Sequence, residues 1–271
     1  MLLTRRVVCG CWSPFMTSSS ERCVTSSLLP VPHGFATRTG GVSEGPFASL
    51  NLGFSVGDVP ERVGENYRKL AEATGAALGA LHTVRQVHGD VVVEAQAVEA
   101  SQTLRPQEAE ADALWTDRAG AWVGVTTADC VPVLLVDPEG RRVAAVHSGW
   151  RGTEARIVAR AVEALVARGS RPERLLAAVG PSIQRCCYVV SEDLAGRFTT
   201  RFGTEVVVRE GGQARLDLTL AVRDTLWEAG LKPAHVDVLP HCTACDAGRF
   251  FSHRRDAGRT GRHLNFVLHR F

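Results

Sequence analysis

A mixed α and β fold in one domain is what this sequence predicts, and three observations carry the expectation. Residues 111–153 read as strand, turn, strand, turn, strand, with a nearly unbroken apolar run from Val131 to Val136. Around them lie segments of helical apolar period that carry their own start and stop residues. From Leu28 to Phe271 no internal repeat, low-complexity block or linker interrupts the pattern. A chain of 271 residues is long enough to bury a full core.

In order, residues 1–27 are rich in Ser, Thr, Arg and Cys without a hydrophobic period, and are expected to be a disordered or mis-assigned tail, with Met16 an alternative start. The apolar stretch after Arg5 and Arg6 is short and broken by Gly10, Ser13 and Pro14, which argues against a signal peptide. Residues 28–271 form the expected domain. His33 to Ser43 reads as a strand running into the Gly40-Gly41 turn, and Asn51 to Phe54 as a second short strand. A helix follows, with Asp58 as N-cap, Pro60 in its first turn, one face made by Val63, Tyr67, Leu70 and Ala71, and its end near Gly75. Strand-like runs Leu81 to Val87 and Val91 to Ala95 flank a turn at His88-Gly89-Asp90, and Ala97 to Ala109 is expected to be a polar surface loop.

Next, Asp137-Pro138-Glu139-Gly140 closes a hairpin that returns Cys130 and His147 to the same end of a sheet. Glu154 to Arg168 reads as one helix stopped by Gly169, and Leu175 to Val179 as a strand. Ser191 caps a helix through Phe202, and Asp217 caps another that Gly230 closes. Val206 to Val208, Val236 to Leu239 and His263 to Leu268 complete the strands.

Composition narrows the function. The 45% hydrophobic and 22% charged fractions are ordinary for a globular protein, and a net charge of +2 argues against nucleic acid or an anionic membrane as partner. No apolar run approaches the roughly 20 residues that span a bilayer. Eight cysteines, two of them adjacent at Cys186-Cys187, do not form a secreted disulfide framework, so reduced thiols in a cytoplasmic enzyme are expected.

Cys130, His147 and His88 carry the chemistry. One thiolate and two imidazoles make a three-ligand zinc site with an open fourth position. Equally, Cys130 is a nucleophile with a histidine as base. A buried cysteine with two hydrogen-bonded histidines is the plain alternative, and spacing does not separate the three readings. Gly149 to Thr153, with Arg151, resembles an anion site at a helix start, though a glycine turn accounts for it as well. Arg38 beside Gly40-Gly41 is a weaker candidate of the same kind, and Arg254 and Arg255 can pair with carboxylates. Cys242-x-x-Cys245 lacks an ordinary second half for a structural zinc and is read mostly as packing.

At these residues the sequence resembles the YfiH-like family, whose members are labelled laccase-domain proteins, polyphenol oxidases, purine nucleoside phosphorylases or peptidoglycan editing factors. The resemblance rests on Thr37-Arg38-Thr39-Gly40-Gly41-Val42-Ser43, Leu50-Asn51-Leu52-Gly53, Gln86-Val87-His88-Gly89 and Ala111-Asp112-Ala113. It continues through Thr127-Ala128-Asp129-Cys130-Val131-Pro132, Val146-His147-Ser148-Gly149-Trp150-Arg151-Gly152, Gly180-Pro181, Phe250-Phe251-Ser252-His253-Arg254-Arg255-Asp256 and Thr260-Gly261-Arg262. Ser182 and His253 depart from it, standing where a cysteine and an aromatic are more usual. The resemblance implies a single α+β domain, a four-layer α/β/β/α sandwich with mixed β-sheets. It implies that His88, Cys130 and His147 are both the catalytic and the zinc-binding residues, with Arg38, Asn51, Arg151 and Arg254 as substrate-binding candidates. The implied activity is phosphorolysis of adenosine, inosine and methylthioadenosine, and deamination of adenosine, with a nucleoside and phosphate as small-molecule partners. Copper fits poorly, since a multicopper centre needs more clustered histidines than this chain has. The rival reading is a cysteine hydrolase or amidase, with Cys130 as nucleophile, that edits a peptidoglycan precursor.

Overall fold

The structure, a computed structural model, describes residues 22–95 and 109–271. Residues 1–21 of the expected tail and 97–108 of the expected surface loop lie outside the described residues. Among the described residues the strands are β1 (Cys23–Val24), β2 (His33–Ala36), β3 (Leu81–His82), β4 (Val92–Glu94), β5 (Ala113–Thr116), β6 (Trp122–Thr127) and β7 (Val131–Asp137). They continue with β8 (Arg142–Ser148), β9 (Leu176–Val179), β10 (Val189–Val190), β11 (Val207–Glu210), β12 (Gln213–Leu216), β13 (Val236–Val238) and β14 (His263–Leu268). The helices are α1 (Pro60–Thr74), α2 (Trp150–Glu154), α3 (Ile157–Val166), α4 (Glu192–Phe202) and α5 (Leu218–Glu228).

Two large mixed sheets stack face to face. One has the order β1-β2-β14-β6-β3 and the other β13-β9-β7-β8-β5-β4, while β10-β12-β11 forms a small third sheet. The period of two along each strand assigns its side chains to layers. Leu134 and Val136 of β7, Val143 and Ala145 of β8, and Leu114 of β5 meet Phe35, Val123, Val125 and Val267 in the seam between the sheets. Their neighbours Val131, Val133, Leu135, Ala144 and Val146 face the other way, against Ile157, Val158 and Leu165 of α3 and Val222 and Leu226 of α5. On the opposite flank Trp122, Leu264, Phe266 and Leu268 pack against Val63, Tyr67 and Leu70 of α1. The layers are therefore helix, sheet, sheet, helix, as the resemblance implied. Trp122 is fully buried and meets Phe266 edge-on at 5.6 Å. Truncating such a side chain costs about 3–5 kcal/mol.

Several local expectations are corrected. The first strand already begins at Cys23, five residues before Leu28, because Cys23 and Val24 pair with Ala36 and Phe35. Asn51 to Phe54 is not a strand. The Asn51 carboxamide occupies its backbone groups instead, accepting from the Gly53 N–H and donating to the Gly53 carbonyl. The N-cap position of α1 is Val59 rather than Asp58, whose carboxylate accepts from the Val59 N–H and from Asn51 Nδ2. The single helix expected from Glu154 to Arg168 is broken into α2 and α3 at Arg156, which takes a left-handed φ of 64°. Ser191 and Asp217 do cap α4 and α5, accepting from the N–H groups of Leu194 and Leu220.

Candidate active site

The β7–β8 hairpin brings the cysteine and the buried histidine together. Asp137 accepts from the Gly140 N–H at 2.8 Å to close the turn, and the register pairs Val131 with Ser148 and Pro132 with His147. Cys130, one residue before β7, thus ends beside His147. The preceding strand β6 belongs to the other sheet, so Ala128-Asp129-Cys130 is the crossing between the two. Asp129 makes the crossing with φ 88°. Its carboxylate accepts from Thr243 Oγ1 and from the Arg254 N–H, each at 2.6 Å, which fixes that unusual conformation from two sides.

His147 is oriented from the neighbouring strand. Ala113 pairs with Val146, so Asp112 falls opposite His147 on the face that looks into the seam. The backbone N–H of His147 donates to the Asp112 carbonyl, and its Nδ1–H donates to Asp112 Oδ1 at 2.7 Å. That bond fixes the tautomer and leaves Nε2 toward Cys130. Asp112 is fully buried and gathers a third element as well. It accepts from the backbone N–H groups of Val87 (3.3 Å), His88 (3.0 Å) and Gly89 (2.6 Å). This ring of donors holds His88 at φ 60°, a left-handed conformation uncommon outside glycine. The same loop is tied to β6 by Gln86, which accepts from the Thr126 N–H and donates to the Thr126 carbonyl. That side-chain pairing replaces the longer strand expected over Leu81 to Val87.

His88, Cys130 and His147 consequently present ligand atoms that all lie within 4.8 Å of one another. The two imidazoles meet edge-on, with centroids 4.9 Å apart. His147 is buried, Cys130 half-buried and His88 exposed, so the group opens to solvent on the His88 side. Gly149 is what lets it close up: a Cβ there would stand 3.1 Å from both Cys130 Sγ and His88 Cδ2. Burial alone would raise the Cys130 thiol, but the His147 charge and hydrogen bonds from both histidines outweigh it and bring the pKa down to about 6. Burial likewise opposes charging of His147, yet the Cys130 thiolate and the Asp112 hydrogen bond lift it to about 9. Asp112 is pushed up by burial and, more strongly, down by His147 and the loop N–H groups, so it stays below the usual carboxylate range. Without a metal the arrangement is a thiolate–imidazolium pair. With one, it offers a thiolate and two imidazoles, one of them backed by a carboxylate, which is the usual support of a metal-binding histidine.

The other sequence candidates divide. Arg254 joins the site through Asp129 and lies over the Tyr188 ring at 5.1 Å, while its guanidinium also donates to the Val189 carbonyl. Arg151 stacks on Trp150 at 4.2 Å, and its charge acts on Tyr188. Arg38 donates to the carbonyls of Ala48 and Ala247 and covers the Phe251 ring at 4.7 Å. Asn51 is fully buried and engaged inside the fold, its Oδ1 accepting from the Gly53 and Arg262 N–H groups and its Nδ2 reaching Asp58. Sequence reading gave no role to Asp112 or Tyr188. A carboxylate set between Ala111 and Ala113 at the mouth of an apolar strand was the available signal for the first. Cys242 and Cys245, read as packing, meet Cys186 and Cys187, the pair set aside as an unsuitable second half.

A stacked pair of mixed sheets flanked by helices, with a Cys-His-His group backed by a buried carboxylate at the end of the seam, defines the class of protein. Comparison with known proteins gives the family. Residues 32–270 match the family described as multi-copper polyphenol oxidoreductase laccase, and the chain belongs to it. A purine nucleoside phosphorylase of Deinococcus radiodurans is 43% identical over 247 residues, covering 91% of this chain and 92% of the relative. A protein named adenosine deaminase RL5, from an unknown prokaryotic organism, is 37% identical over 237 residues, covering 83% and 90%. The crystal structure of YlmD from Geobacillus stearothermophilus superposes with a TM-score of 0.83 at 33% identity, covering 92% of this chain and 99% of that one. Relatives with these names support a nucleoside-processing enzyme at the level of the family. No helix among the described residues is long and apolar enough to cross a membrane.

Proposed function

We propose that this chain is a zinc-dependent purine nucleoside enzyme that performs phosphorolysis of adenosine, inosine and methylthioadenosine and deamination of adenosine. The observation that carries the reading is the convergence of His88, Cys130 and His147 within 4.8 Å, with Asp112 on the far nitrogen of His147. The names of the relatives supply the substrate class. Three protein ligands with one thiolate suit zinc, and such an ion contributes Lewis acidity at a site open to substrate. The chain's own residues do the rest. Asp112 holds the His147 tautomer, and Asp129 sets the position of Cys130. Arg254, which lies over the Tyr188 ring, and Arg151, which stacks on Trp150, bind the phosphate that attacks C1′ of the ribose. His88, the exposed member, faces the incoming nucleoside.

One observation favours a second reading. The Cys130 thiol, brought down to about 6 beside a His147 raised to about 9, is an activated nucleophile with its acid partner if no metal sits there. A cysteine hydrolase or amidase acting on a peptidoglycan precursor would use that pair.

Metal content and adenosine turnover, with and without phosphate, separate the two readings when wild type is compared with Cys130→Ala. The nucleoside reading expects the variant to lose one ion per chain and all formation of adenine or inosine. Wild-type protein that is inert on nucleosides, carries no ion lost in Cys130→Ala, and is labelled at Cys130 by an electrophilic amide would replace it with the hydrolase.

A further inference from the structure

Away from the Cys-His-His group, four thiols converge that neither proposed reaction uses. Cys186 and Cys187 sit in a turn after β9, where the N–H groups of Cys187 and Tyr188 both donate to the Gln184 carbonyl. Cys242 and Cys245 sit in the loop after β13, where the Asp246 N–H donates to the Cys242 carbonyl. β9 and β13 are parallel neighbours, and past their ends the two loops stay in register through a bridge between Ser182 and Cys242. The tight turn aims both adjacent cysteines at the C-x-x-C pair, and all four sulfurs lie within 4.8 Å of one another.

The sulfur spacing identifies the chemistry. Cys245 Sγ lies 3.3 Å from Cys187 Sγ and 3.5 Å from Cys186 Sγ. A disulfide needs about 2.05 Å. Four sulfurs each about 2.3 Å from a central ion stand roughly 3.8 Å apart, inside the observed range. The cluster also carries the outer contacts of a tetrathiolate site. The Gln184 N–H points at Cys242 Sγ at 3.5 Å. Arg215 donates to the Cys186 carbonyl, and Arg255 to those of Thr243 (2.9 Å) and Ala244 (3.5 Å), so two guanidiniums stand by an assembly that would carry two excess negative charges.

We propose that Cys186, Cys187, Cys242 and Cys245 bind one thiophilic divalent cation, zinc by preference, in a closed four-sulfur site distinct from the Cys-His-His group. Its role is to clamp the two loops together. Both of them hold the crossing that carries Cys130, since the Ile183 N–H donates to the Asp129 carbonyl at 2.9 Å and Thr243 Oγ1 to its carboxylate at 2.6 Å. Binding displaces the thiol protons and makes no covalent change in the chain.

Purified full-length Cys130→Ala tests this, because it has lost a ligand of the other group. The expected result is about one zinc retained per chain. Replacement of that zinc by cobalt(II) should give the intense sulfur-to-metal absorption of a tetrathiolate complex, which two histidines alone do not produce. Cys242→Ser/Cys245→Ser in the same background should lose both the ion and the absorption, and the exposed Cys186→Ser serves if the double variant does not fold. Metal-free Cys130→Ala with four freely alkylated thiols at these positions, or protein prepared without oxygen that contains a disulfide among them, would overturn the proposal. Nucleoside turnover in wild type reads the other group, so the two proposals stand or fall separately.

Discussion

Two groups of sulfur-bearing ligands lie on either side of Asp129, and they are built on opposite plans. The Cys-His-His group has three ligands, one of them exposed, and its buried histidine is backed by Asp112, which also fixes the loop of the exposed one. The cysteine cluster has four sulfurs from two turns and no carboxylate among its ligands. Three ligands with a solvent-facing gap leave room for a reacting molecule, whereas four close a coordination shell. The difference also appears in the thiols themselves. His147 draws Cys130 down to about 6, while desolvation, followed by hydrogen bonding to Cys245 and Cys242, pushes Cys186 up to about 11. A cationic neighbour makes a thiol reactive, whereas the cluster divides its protons unevenly, since at Cys242 burial is outweighed by the Gln184 N–H and the neighbouring thiols, which bring that thiol down.

The contrast can be broken most severely at Asp112. Asp112→Asn keeps the shape but removes the charge that orients His147, and should lower metal affinity of the Cys-His-His group or turnover by about 10–100-fold while the cysteine cluster keeps its ion. Equal loss of both ions would mean that the two groups are not separate. Next comes thiol reactivity in chelator-stripped protein. Cys130 is reactive as the thiolate, which is present above pH about 6 and lost below it, so its alkylation should be half-maximal near that pH. Cys186 should lag until far more alkaline solution, since its thiol holds its proton to about 11. Peptide mass mapping across pH checks the order, and equal reactivity of the two at neutral pH would undo the contrast. A smaller effect is expected from Gly149→Ala. Its methyl group would press on Cys130 Sγ and the His88 ring at 3.1 Å, and overpacking of this kind costs about 1–3 kcal/mol, read as weakened metal retention at the Cys-His-His group with an unchanged cysteine cluster.

The sequence carried the local parts of this arrangement further than the assembled ones. The hairpin at Asp137 to Gly140, the caps at Ser191 and Asp217, and the pairing of Cys130 with His147 were legible because each rests on a few neighbouring residues. Asp112 was not, since its partners Val87, His88, Gly89 and His147 become neighbours only when β5 lies beside β8. Asn51 shows the opposite failure. Its motif suggested substrate contact, but the carboxamide is enclosed by Gly53, Asp58 and Arg262, the last more than 200 positions away in the chain. The cysteine cluster was passed over because adjacent cysteines do not match a familiar ligand spacing. Only the turn at Gln184 makes both face one way. The left-handed break at Arg156 had no sequence signal either, as arginine is not a residue expected there.

The strand β14 occupies the middle of the first sheet, between β2 and β6, although it is the last strand in the chain. During synthesis β2 and β6 are made long before the strand that joins them, and each waits with an unpaired edge and an apolar face. Cys242, Cys245, Arg254 and the carbonyl partners of Arg255 also arrive late. A nascent chain therefore holds His88, Asp112, Cys130 and His147 before it holds Thr243 and Arg254, so the group is made first and the clasp on Asp129 that steadies it is made last.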